Sequence, residues 1–150
     1  MGPSSLSLTQ KIDESGMRCA STGHVRARNL SEIQVYRHAQ AASVAVSALL
    51  KRPAFSRDVD LKDQLSRSSS RVGPLIAEGF GQLTDRHLAA YLGRARGSVL
   101  ETIAHLAKAQ NEQFISDAEC SQLAEKYDHI GRMLTRWINH LKESDWNDRG

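Results

Sequence analysis

From residue 29 onward the chain places apolar residues three and four apart in four separate runs. No stretch alternates apolar and polar residues in the two-residue rhythm of a strand. Val35, Ala39, Ala42, Val46 and Leu49 form the first stripe, and Leu61, Leu65, Ser68, Val72 and Leu75 the second. The third comprises Leu88, Leu92, Ala95, Val99, Ile103 and Leu106. The fourth, Cys120, Leu123, Tyr127, Ile130, Leu134, Trp137 and Leu141, is a regular heptad seam. Each stripe covers one side of an α-helix and leaves the other polar, so each helix must bury its stripe against a neighbour.

Start and stop signals bracket the runs. Asn29 or Ser31, with Glu32 or Gln34 three residues on, offers a reciprocal cap for the first helix, and Pro53 ends it. The second helix is expected to start near Ser56 and to end at Gly79 and Gly81 through a left-handed turn. Thr84 caps the third, which runs to about Gln110, and Ser116 with Glu119 caps the fourth. Pro74 removes one backbone bond inside the second helix, so a kink is expected there, not a break. Short loops make sequential helices antiparallel. The expected fold is therefore all-α, an up-down-up-down four-helix bundle over residues 29–143. Residues 1–28 lack periodicity and read as a flexible tail, and 144–150 as a frayed end.

Composition narrows the function classes. Aromatic content of 5% leaves a core of Leu, Ile, Val and Ala, suited to close helix packing. Cys19 and Cys120 make no disulfide framework and no C-x-x-C, and Cys120 falls on the apolar stripe. The longest apolar stretch, Ala41 to Leu50, is too short to span a bilayer, and no signal peptide is visible, so a cytoplasmic setting is expected.

Net charge is +3, but its distribution is uneven: residues 51–96 hold nine Lys/Arg against five Asp/Glu, and 97–150 six against nine. Arg57, Lys62, Arg67, Arg71, Arg86, Arg94 and Arg96 thus concentrate in the middle of the chain. The side chains of Arg57, Lys62, Arg67, Arg71, Arg94 and Arg96 are the candidates for phosphate contact.

Reactive constellations are missing from the pattern. Ser68, Ser69, Ser70 and His87 have no strained elbow or orienting Asp, which speaks against nucleophilic catalysis. Glu101/His105 and Glu125/His129 are spaced by four, where carboxylate-bridged di-iron bundles use three, and read as surface neighbours. No catalytic residue, metal or cofactor is expected. Ser68, Ser69, Gly73, Gly97 and Ser98 suggest a close approach of the second and third helices. Glu78, at an unfavourable helix end, is expected to lock those helices by a hydrogen bond.

The block from Gln64 to Gly79, containing Arg67-Ser-Ser-Ser-Arg71-Val-Gly73-Pro74-Leu-Ile-Ala-Glu78-Gly79, is followed by Tyr91-Leu-Gly-Arg-Ala-Arg-Gly97-Ser98-Val-Leu-Glu101. Together with Leu30 to Ala39 these resemble the small four-helix-bundle proteins encoded by intervening sequences within bacterial 23S ribosomal RNA genes. The likeness covers about residues 29–143. A cousin group is the accessory variability protein of diversity-generating retroelements, which works with a reverse transcriptase. The resemblance implies a homopentamer around a central channel and no catalytic activity; Ser68, Gly73, Pro74, Glu78, Gly79, Gly97, Ser98 and Glu101 are expected to have structural, helix-packing roles. It also implies RNA or DNA, or a reverse transcriptase, as partner. Val72-Gly73-Pro74 departs from the family, where Ile-Pro is usual.

Overall fold

The computed structural model describes residues 27–147, with side chains through residue 144. A short 3-10 turn, Leu30–Glu32, leads into α1 (Gln34–Leu49), and a second, Pro53–Arg57, into α2 (Val59–Phe80). Helices α3 (Asp85–Asn111) and α4 (Asp117–Asn147) complete the chain. Each helix packs on its two neighbours in a closed square: α1 on α2 and α4, α3 on α2 and α4. Contacts run antiparallel, since Gly79 meets Tyr91 while Ser68 meets Thr102 further along. On the opposite side His38 meets His129 and Arg52 meets Glu119. This is the all-α antiparallel four-helix bundle.

The stripes form its core. Every residue named above for the first, second and fourth stripes is buried, as are Leu92, Ala95, Val99 and Leu106 of the third. Leu88 and Ile103 are partly buried against them. Four stripes that meet in one core exclude water from most of the apolar surface, the dominant favourable term in folding.

Two of the expected caps are in place. Thr84 Oγ1 accepts from the His87 amide at 3.2 Å. Ser116 Oγ accepts from the Glu119 amide at 3.1 Å, while Glu119 Oε1 accepts from the Ser116 amide at 3.0 Å, closing the reciprocal box. The other two differ. Asn29 heads only the 3-10 turn; α1 starts after Ile33, which makes no side-chain cap and is fully buried instead. Ser56 donates to the Pro53 carbonyl at 2.6 Å, so α2 takes its cap from Asp58, whose Oδ1 accepts from the Leu61 amide at 2.9 Å. That bond, with Lys108 nearby, holds the Asp58 carboxyl below its ordinary range.

Helix α2 continues unbroken through Pro74 and ends at Phe80, with Gly81 right-handed at φ −76°. The expected left-handed turn is absent there. It occurs instead at Gln113, φ 62°, after α3. There the Phe114 amide bonds the Ala109 carbonyl and the Gln113 amide bonds the Gln110 carbonyl, both at 2.9 Å, the paired bonds of a Schellman ending. The turn buries Phe114 edge-on against Phe55, ring centres 5.4 Å apart, sealing that end of the bundle. Helix α4 runs to Asn147, and the last residues of the expected frayed end lie outside the described residues. The tail lies almost wholly outside the described residues.

Candidate nucleic-acid interface

The basic side chains of α2 and α3 all stand exposed on the bundle's outside. Arg67 is held by Asp63 one turn earlier, at 2.8 Å. Arg71, on the same side one turn later, meets no carboxylate among the described residues, and the same holds for Arg57, Lys62, Arg86 and Arg96. The Arg94 guanidinium lies over the Tyr91 ring, 5.3 Å from its centre, which fixes the charge without neutralising it. Because residues two apart on a helix diverge by about 160°, Arg94 and Arg96 flank α3 on opposite sides. The cations therefore form strips, Arg67–Arg71 along α2 and one on each flank of α3.

Between those flanks α3 presents little side chain. Gly93 and Gly97 face outward, and a Cβ on either would meet nothing within 4 Å. Leu100 is 58% exposed on the same side. Gly97 was expected to let α2 and α3 approach; it faces away from α2, and the approach is made elsewhere. A Cβ on Gly79 would lie 2.8 Å from Tyr91 Cβ and 3.1 Å from Leu88 Cδ1. Ser68 does face the seam: Thr102 Oγ1 lies 3.0 Å from Ser68 Oγ and 2.8 Å from the carbonyl of Ser98, one turn back on its own helix, and the Ser98 side chain is buried. Gly73 is buried against α1, with Tyr36 Cε2 3.7 Å from the position of its missing Cβ. Its small size therefore serves a different seam from the one expected.

Glu78 is exposed, and no side-chain hydrogen bond of its carboxylate occurs among the described residues; its backbone carbonyl accepts from Gln82 Nε2 at 3.0 Å. Within one chain it does not lock α2 to α3: its exposed carboxylate makes no hydrogen bond to α3 among the described residues. Glu101 is likewise exposed and lies 3.5 Å from His105 Nε2 on its own helix. Pro74 is exposed.

Sequence reading placed Tyr127 and Cys120 on the fourth stripe and Glu119 in a cap, but not the contacts these groups make across the bundle. Tyr127 reaches from α4 across the bundle to donate its hydroxyl to the Ser69 carbonyl at 3.4 Å. Burial pushes its phenol up from its ordinary range. Burial, with Asp117 nearby, likewise pushes up the Cys120 thiol, whose sulfur lies against the Leu106 carbonyl at 3.6 Å. Where α1 ends and α4 begins, Arg52 grips both oxygens of Glu119, Nη1 to Oε1 at 2.9 Å. This grip and the Ser116 amide hold the Glu119 carboxyl down to about 2. The pair walls an open depression of about 280 Å³ with Ala45, Ala48, Leu49, Gln122 and Leu123. Tyr127 was legible as a stripe residue but not its bond to Ser69, and nothing local marks the pairing of Arg52 with Glu119, which are far apart in sequence.

No group of three or more His, Cys, Asp or Glu side chains comes together among the described residues. Ser70 points to the Ser66 carbonyl at 2.7 Å, and His87 sits in the α3 cap. No described helix is long and apolar enough to cross a membrane.

The class these features define is a four-helix bundle whose buried hydroxyls bond to one another or to backbone carbonyls and whose cations line two helices. The sequence matches the family model of the 23S rRNA-intervening sequence protein over residues 31–136, and the chain belongs to that family. A crystal structure from Bacteroides thetaiotaomicron, titled as a protein of unknown function from the S23 ribosomal protein family, shares the fold. Its TM-score is 0.64 at 18% identity, covering 69% of this chain and 97% of that one. No curated protein matches.

Proposed function

We propose that the chain is a non-enzymatic scaffold that self-assembles, as a ring of five, and offers its repeated basic strips to the phosphates of RNA or DNA. The observation that carries this reading is the set of exposed cations on α2, α3 and the turn before α2, of which Arg57, Lys62, Arg71, Arg86 and Arg96 meet no carboxylate among the described residues. One bundle supplies a modest field; five copies multiply the phosphates neutralised, and counterion release makes affinity rise steeply with that number. The uncovered side of α3, with Gly93, Gly97 and Leu100, supports self-assembly, since glycine inside a helix costs about 1 kcal/mol relative to alanine and needs a packing reason. Contacts of this kind reach the backbone, so they read shape and not base sequence. The expected setting is the cytoplasm.

A mobility-shift series against structured RNA and duplex DNA tests this. The expected result is a shift at low salt with a steep negative salt slope, flattened in Arg71→Glu/Arg96→Glu. Absence of a shift at low salt overturns it. In that case the second reading stands, a protein-interaction module serving a partner such as a reverse transcriptase. It is favoured by Val44, 69% exposed on the outer side of α1. Light scattering of the native particle tests the ring of five.

A further inference from the structure

We infer that His38 and His129 form a two-imidazole site for a divalent transition-metal ion of the zinc or nickel class, bridging α1 to α4. His38 stands on α1 and His129 on α4, with ring centres 5.4 Å apart and ring planes at 86°. A zinc–nitrogen bond of about 2.0–2.1 Å, plus about 1.1 Å from nitrogen to ring centre, puts each ring centre about 3.2 Å from a bound ion. Two rings at a tetrahedral angle around that ion are then about 5.2 Å apart, close to the separation already present. The present ring separation matches a bridging ion, and side-chain rotation would turn one nitrogen of each ring towards it.

The surroundings leave both imidazoles available. Glu125, one turn before His129, is engaged by Arg132 at 3.1 Å, and Arg132 also takes Asp128 at 3.1 Å. No carboxylate among the described residues pairs with either ring. Burial, His129 and then Arg37 all lower the His38 pKa, which favours the neutral ring that ligates a metal. His38 is exposed and His129 half-buried, which leaves an entry path and room for the waters that complete four-coordination. The edge-on pair is also an ordinary aromatic contact. What separates the two readings is whether metal binding depends on both rings.

Tag-free protein titrated calorimetrically with zinc chloride, and separately with nickel chloride, decides the matter. The expected result is one equivalent per chain at micromolar affinity, with a melting temperature that rises with metal concentration as for any ligand of the native state. His38→Gln and His129→Gln each abolish that equivalent, whereas His87→Gln keeps it; circular dichroism checks that helicity is retained. Unchanged stoichiometry in either of the first two variants, or no rise in melting temperature at millimolar metal, overturns the proposal. No nucleic acid enters the measurement, so its outcome is independent of the function proposed above.

Discussion

The α2–α3 seam and the α1–α4 seam solve the same packing problem differently. Along α2–α3 the backbones come close: Gly79 leaves no room for a Cβ beside Tyr91, and the hydroxyls of Ser68 and Thr102 meet in the interior. Along α1–α4 longer groups do the joining, with Arg52 clasping Glu119 across an open depression and His38 edge-on to His129. The first seam tolerates almost no change in volume. The second is held by groups that reach water, so its strength follows solvent conditions.

The sharpest break of this contrast is Gly79→Ala. The added methyl meets Tyr91 Cβ, an atom tied to its backbone, so overpacking should cost about 1–3 kcal/mol in denaturant unfolding. Unchanged stability would show that the helices are not in close contact there. Next is Thr102→Val, which keeps the shape but removes the hydroxyl that links Ser68 and the Ser98 carbonyl. A loss of about 1 kcal/mol is expected, read by the same unfolding curve.

On the other seam, Ser116→Ala removes the cap that starts α4 and should cost about 0.5–1 kcal/mol. The smallest effect is in acid. Glu119 titrates at about 2 when folded against 4.5 as its ordinary value, so its contribution is present above 4.5 and is lost as pH falls towards 2. Melting temperature measured across that window should fall less steeply in Glu119→Gln than in the parent chain. Equal slopes would mean that the grip of Arg52 contributes nothing.

The helices were legible because each stripe repeats over many turns, so burial of one position predicts the next. Thr84 and Ser116 were legible as caps because their partners lie three residues away. Misreadings arose where a second, distant requirement won. Ile33 is drawn into the core and displaces the first cap, and Pro53 occupies the Ser56 hydroxyl, leaving Asp58 to start α2. Gly73 and Gly97 could be recognised as small but not oriented, since a glycine carries no polarity to say which side it faces. The arginines of α2 and α3 were found by count. Their division into strips depends on rotation about each helix, which a two-residue spacing such as Arg94 to Arg96 fixes only once the buried side is known.

The meeting of Ser68 and Thr102, with Tyr127 reaching Ser69 from the diagonal helix, sets more than an energy. Leucines can slide past leucines by a turn and still be greasy, but a hydroxyl displaced by one turn is stranded in oil. These few oxygens therefore act as a vernier: they admit one longitudinal offset among three helices and make every neighbouring alignment a fault.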